Sequence, residues 1–268
     1  GNTITGVDPA GGHFVGAVIM NDGSSAHVTN LGVTVSGLTN TCDGADDRLR
    51  GIMFEGASGT ITHNSVAGIN QGPSGCQEGN AIEIRNAPFD GTHPGTLTVD
   101  VLHNTVTDYQ KGGIIANGDV NVAVRLNKIG ASATQLNLAA NSVQFGFGAT
   151  GSMTSNSVDG NQWLGTSNYA ATAVLIYESN DIFMASNRIR GNSDIGVYNY
   201  GDNNTLEKNN VIDEGEDAPT SGYDYGIGDW GANTTLEKNH VRGFEIPADP
   251  PFGDDGSKNK VLPNNLEL

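Results

Sequence analysis

The sequence predicts an all-β solenoid, a parallel β-helix of about eight coils. Three observations predict it: a surplus of turn-forming residues, a phrase that recurs around Asn, and the absence of any helical period. Gly supplies 38 of the 268 residues and Asn 30, together about a quarter of the chain. A helical bundle cannot carry that load, because Gly costs about 1 kcal/mol per helix-interior position against Ala, and Asn competes with the helix backbone through its side chain. No stretch keeps an i, i+3, i+4, i+7 apolar pattern between caps, whereas short runs alternate with period 2.

Each repeat opens on a small residue followed by an apolar marker: Gly51-Ile52, Ala81-Ile82, Gly113-Ile114, Ala173-Val174, Gly196-Val197 and Gly226-Ile227, with Val18 and Phe145 in the same slot. Strand alternation points the marker inward together with the residue two positions on, such as Phe54, Ile84, Phe147 and Ile176. In all units but one, an Asn follows the marker by 11 to 13 residues and precedes a Val or Ile by two. These are Asn64, Asn104, Asn127, Asn156, Asn187, Asn209 and Asn239, with Asn2 and Asn30 as weaker members. The exception, 82 to 104, carries an insertion around Asn86 to Thr96. In a stacked solenoid each Asn lies about 4.8 Å above its predecessor. There it is expected to adopt the left-handed turn conformation and to hydrogen-bond along the axis through its side-chain amide. The return from Asn to the next marker varies from 10 to 22 residues, so loops emerge along one edge.

Asn2-Thr3-Ile4 is already a ladder phrase, so the chain is expected to begin in mid-coil, either as a piece of something longer or with its first coil covered by another group. At the other end Pro247, Pro250 and Pro251 oppose strand pairing. The expected organisation is a β-helix over residues 1–245 and a tail over 246–268 that caps the last coil.

The Asn ladder followed by Val or Ile, with Gly-Ile strands between, resembles the right-handed parallel β-helix superfamily of pectate lyases, polygalacturonases, alginate lyases and mannuronan epimerases. The resemblance covers essentially residues 1–245. It implies a right-handed, single-stranded helix and a polysaccharide or glycan partner, but no one reaction, since one fold hosts many functions. The Arg-x-Pro-x-x-Arg pattern of pectate lyases and the Asn-Thr-Asp, Gly-His-Gly and Arg-Ile-Lys signatures of polygalacturonases are absent. The run Tyr225-Gly226-Ile227-Gly228-Asp229-Trp230 is similar to the Tyr-Gly-Phe-Asp-Pro-His motif of the epimerases, without its Pro and His.

A net charge of −17 and a pI near 4.4 exclude nucleic-acid and anionic-membrane partners, which need a basic footprint. No apolar run reaches the roughly 18 residues of a membrane span, so membrane insertion is not expected. Cys42 and Cys76 each lie 12 residues after an Asn of the repeat, Asn30 and Asn64, and are expected to bridge adjacent coils. A bridge implies an oxidising setting, and the protein is expected to be a monomer, secreted or on the surface of a bacterial cell.

Counting three residues on from each marker gives Glu55, Arg85, Asn117, Gly148, Tyr177, Tyr200 and Trp230. One residue on stand Met53, Glu83, Ile115, Leu175 and Tyr198. Both columns face outward by alternation. They read as a sugar-binding strip, in which aromatics stack and Glu55, Glu83, Arg85 and Asn117 supply hydrogen bonds and charge, or alternatively as a surface ladder whose aromatics stack on each other. Glu55 over Arg85 is expected to be a surface ion pair. The variable returns bring Trp163 and Tyr169, then Tyr223, Asp224 and Tyr225, to the flank of the strip.

β-Elimination on an acidic sugar needs a base and neutralising cations, for which Lys111 and Arg85 are the candidates. Hydrolysis needs two carboxylates, for which Glu55 with Glu83, or Asp229 with Asp224, are the candidates. No cofactor is required. The ion that crowded carboxylates could hold is Ca2+, with Asp213, Glu214, Glu216 and Asp217 the candidate ligands and a solvated acidic edge the alternative. The expected function is glycan handling along the outer face, with a polysaccharide lyase the first enzyme class. The alternative is a non-catalytic glycan-binding, adhesion or structural module.

Overall fold

The structure is a computed structural model that describes residues 2–6, 14–20, 23–35, 48–70, 77–86, 93–133, 138–165, 168–215, 223–249, 260–261 and 263–267. The protein is a right-handed, single-stranded parallel β-helix. Its described residues form 28 strands and no helix. The strands make three wholly parallel sheets, which the chain visits in the fixed order A, B, C. Sheet A has ten strands and sheets B and C nine each, so the strand Asn2–Gly6 is followed by nine coils.

Three apolar columns fill the interior, one from each sheet. Sheet B supplies Ile52, Ile82, Ile114, Val143, Val174, Val197 and Ile227. Sheet C supplies Ile61, Val101, Val124, Met153, Met184, Leu206 and Leu236. Sheet A supplies Val66, Val106, Ile129, Val158, Ile189, Val211 and Val241. None of these side chains is more than 2% exposed, and full burial of one is worth about 1.5–3 kcal/mol.

The register corrects one assignment in the repeat. Val143, not Phe145, aligns with Ile114 and Val174. Phe145 takes the second inward slot, opposite Ala116 and Ile176, while Phe147 sits in the following turn at φ 57° and is half exposed. In the sheet B ladder the small residue before each marker has no strand partner: Arg50 pairs with Asn80 and Ile52 with Ile82, and 51 and 81 are passed over. That residue faces the core. A Cβ on Gly51 would lie 2.4 Å from the Ala81 carbonyl oxygen and 2.8 Å from Val66 Cγ1.

The Asn ladder runs between sheets C and A. From Asn64 to Asn239 each side-chain amide donates to the Oδ1 of the ladder Asn one coil on, at 2.9–3.1 Å, and that Oδ1 also accepts the backbone N–H. The left-handed residue is the one before the Asn, not the Asn itself: His63, His103, Leu126, Ser155, Ser186, Lys208 and Lys238 have φ between 54° and 58°. Asn30 belongs to this preceding position at φ 57°, and Leu31 occupies the ladder slot, its N–H bonded to Asn64 Oδ1. Asn264 continues the ladder at its far end. Strands Ile246–Asp249, Lys260–Val261 and Asn265–Glu267 extend sheets B, C and A, so the stretch expected as a capping tail supplies the ninth coil.

Candidate functional site

The outer face of sheet B carries three columns, one more than strand alternation alone predicts. Because the residue before the marker is passed over in the ladder, the residue two before it also faces out. That first column reads Arg50, Asn80, Gly112, Asn141, Thr172, Ile195, Tyr225. The second is Met53, Glu83, Ile115, Gln144, Leu175, Tyr198, Gly228. The third is Glu55, Arg85, Asn117, Gly146, Tyr177, Tyr200, with Gly146 where the misplaced marker put Gly148. Trp230 follows the last paired residue, and its ring folds back over Gly228, where an added Cβ would meet it at 2.4 Å.

Two adjoining cavities run along this face and share Gln77, Lys111, Asn141 and Leu175. The larger, of about 940 Å³, is walled by Trp163, Tyr169, Tyr198, Tyr223, Tyr225 and Trp230. Its rings hold one another: Tyr198 to Trp230 with centroids 4.5 Å apart, Trp230 to Tyr225 edge-on at 5.9 Å, and Trp163 to Tyr169 edge-on at 5.6 Å. Trp163 is buried, although it lies in the loop that follows the strand Ser157–Asp159. Asp194 holds it, one carboxylate oxygen accepting the N–H of Trp163 and of Ala171, each at 2.8 Å. Asn161 secures the base of the same loop through its amide, which donates to Ser142 Oγ and the Thr172 carbonyl.

The smaller cavity, of about 390 Å³, is lined by Arg50, Glu83, Arg85 and Asn117 with Lys111 and Tyr177. Its two arginines and Glu83 form one cluster with Glu78. Arg50 donates to Glu78 at 2.7 Å and pairs with Glu83 through its Nε. Arg85 approaches the other Glu83 oxygen at 3.5 Å, and the Asn80 amide donates to Glu83 at 3.0 Å. Burial opposes the charge on Arg50, but Glu83 and Glu78 outweigh it and raise its pKa. Arg85 and Glu83 are each 1% exposed. Arg85, expected at the surface over Glu55, is instead buried, with Glu83 beside it.

Lys111 stands where the two cavities meet. Its ammonium donates to the Ala139 carbonyl at 2.6 Å, and burial pulls its pKa down to about 8. Beyond it a chain of neutral groups crosses the floor. The Thr172 hydroxyl donates to Asn141, the Asn141 amide to Gln144, and the Gln144 amide to Asn117.

Most of the predicted strip is therefore gathered here: Lys111, Arg85, Glu83, Asn117 and Tyr177 around the smaller cavity, Tyr198, Trp230, Trp163 and Tyr225 around the larger. Glu55 and Tyr200 line neither; Tyr200 is exposed and stacks on Tyr177 at 5.5 Å. Asp229 is set apart. It pairs in register with Asn199 on the inward side, is buried, and accepts hydrogen bonds from Asn199, Thr234 and the Gly231 N–H, which makes it a turn cap. Gln77, Asn141, Gln144 and Thr172 escaped the sequence reading; a first-column count two residues before each marker would have found Thr172, while the marker misplaced at Phe145 hid Asn141 and Gln144.

Cys42 and Cys76 lie outside the described residues, as do Glu216 and Asp217. Glu214 is exposed and lines a separate cavity of about 520 Å³ beside Asp159 and Arg190. Among the described residues no group of three or more His, Cys, Asp or Glu is placed to hold a metal ion. Nor is any helix long and apolar enough to cross a membrane.

No protein-family model and no curated protein matches this sequence. Solved structures do resemble it. DFA-IIIase from Arthrobacter chlorophenolicus A6, crystallised as a mutant in complex with DFA-III, is 15% identical over 94% of this chain and 67% of its own, with a TM-score of 0.55. The same enzyme without its lid gives 15% identity, 92% and 70% coverage, and a TM-score of 0.56. The enzymatically active domain of tailspike protein 2 from bacteriophage CBA120 gives 10% identity over 98% of this chain and 37% of that one, with a TM-score of 0.56. At these identities the likeness is one of fold, a right-handed parallel β-helix.

Proposed function

We propose that the protein is a secreted or cell-surface carbohydrate-processing β-helix protein that seats a glycan in the groove over sheet B, with Lys111 as its proton-transfer group. The observation that carries this reading is the pair of joined cavities, aromatic at one end and polar at the other, with the Lys111 amine at their junction. Aromatic faces suit the apolar faces of sugar rings, and amides and hydroxyls suit their hydroxyl groups. An amine titrating at about 8 is near the working pH, where a general base is most effective. The fold neighbours, an enzyme named for DFA-III and the enzymatically active domain of a tailspike, agree with a catalytic use of this scaffold.

The test is a glycan panel followed by ultraviolet absorbance for unsaturated ends, by reducing-end assay, and by retardation in glycan-containing gels. Product formation is expected, rising with pH to a plateau above about 8 as Lys111 deprotonates. Lys111→Met should abolish it while leaving binding intact, and Trp230→Ala should weaken binding. Activity untouched in Lys111→Met would remove the proton-transfer role. Retardation without any product would leave a non-catalytic glycan-binding module, and binding indifferent to Trp230→Ala would remove the groove.

A further inference from the structure

Resting on the groove reading above, we infer that the glycan this site selects is uncharged, and that the two arginines of the groove are internal struts and not receptors for a sugar carboxylate.

The argument is a charge count around the smaller cavity. Arg50 and Arg85 bring two positive charges, and Glu78 and Glu83 two negative ones, all four joined by contacts of Arg50 to Glu78 and Glu83 and of Arg85 to Glu83. Both arginines and Glu83 are at most 2% exposed. A buried guanidinium already matched to a carboxylate gains little from a second anion, because accepting it would leave the first uncompensated at low dielectric. Among the described residues Lys111 is the one further charged group lining the two cavities, and the carbonyl of Ala139 occupies its ammonium. Around this small residual charge the chain carries a net −17, which opposes the approach of any polyanion. What the groove offers instead is neutral: the linked side chains of Thr172, Asn141, Gln144 and Asn117, and the aromatic wall. Elimination, which depends on neutralising a sugar carboxylate, finds no free positive pair here.

The experiment is calorimetric titration of the wild-type protein with oligosaccharides of matched length, uncharged (glucan, xylan, mannan, fructan) and anionic (polygalacturonate, alginate), at low and high salt. An uncharged member should bind at least about tenfold more tightly than either polyuronate, and its affinity should not change with salt. A polyuronate that binds best, and loses affinity as salt rises, would overturn the inference while leaving the groove reading standing. No binding by any member would instead bring down the groove reading and the inference with it. Glu83→Gln supplies a second arm, with far-ultraviolet circular dichroism reporting the fold. Once the arginines are short of one carboxylate, polyuronate affinity should rise by about tenfold. No rise in a folded variant would count against the strut assignment, and an unfolded variant would itself show Glu83 to be a partner the arginines require.

Discussion

The outer face of sheet B is finished in two ways along one helix. Over the strands Arg48–Glu55 and Asn80–Asn86 the outward residues include three charged groups, Arg50, Glu83 and Arg85, that are almost wholly buried. Over the strands Thr172–Tyr177, Ile195–Tyr200 and Tyr225–Asp229 they include the partly open rings of Tyr177, Tyr198, Tyr200 and Tyr225. Beneath both halves lie the same inward columns and the same Asn ladder. The difference teaches that the scaffold does not dictate its covering. A charged covering is an all-or-none arrangement, because removing one partner strands a desolvated charge, whereas a stack of rings loses one contact at a time.

Three substitutions sharpen that contrast, each read as a shift in urea midpoint at constant slope. Glu83→Ala should be the most damaging, costing about 3–5 kcal/mol, because Arg50 and Arg85 both lose a buried partner. Trp230→Ala in the aromatic half should cost about 0.5–1.5 kcal/mol for the lost ring contacts with Tyr198 and Tyr225, beyond a modest loss of burial. Arg190→Ala should matter least, at about 0–1 kcal/mol, since its pair with Asp159 at 3.3 Å is 41% and 40% exposed. Equal effects for Glu83→Ala and Arg190→Ala would abolish the distinction between the charged floor and an ordinary surface pair.

Stability against pH adds a check on the seam between the halves. The folded pKa of Lys111, about 8, is below the roughly 10.4 of an unfolded lysine. The unfolded chain therefore binds more protons between these values, and the Lys111 contribution to stability must rise as pH climbs from about 8 to about 10.4. Below that window the buried amine is charged at a cost to the fold. Lys111→Met should flatten this segment of the stability profile, while a slope that survives the substitution would show that another group titrates there.

The inward columns and the ladder were legible because their spacing is the physical repeat of the coil itself. The error at Phe145 has a physical source. The slot before the marker takes small residues because a Cβ there points at the core, and at 142 that residue is Ser, which does not look like Gly or Ala. The hydroxyl is tolerated because it is fully engaged, accepting from Tyr109 and Asn161 and donating to the Asp159 carbonyl. The fate of Arg85 and Glu83 was not legible, since alternation says which way a side chain points and not whether anything covers it. Asp229 was misplaced for a related reason: its parity is inward, and the Tyr225–Trp230 run and its pairing with Asp224 drew it to the groove. The loop walls were foreseeable as composition, Trp163 with Tyr169 and Tyr223 with Tyr225, but their fixing through Asp194 joins residues 31 and 23 positions apart, a pairing no local pattern encodes.

The seven amide-to-amide bonds from Asn64 to Asn264 all run in one sense, donor on the earlier coil and acceptor on the later. Eight parallel side-chain dipoles thus lie head to tail along the axis, and each polarises the next, by about 10–30% per bond. The solenoid is therefore an electrically polar rod. The row's two ends are chemically unlike, and Leu31, which brings no side-chain amide, closes the one at Asn64.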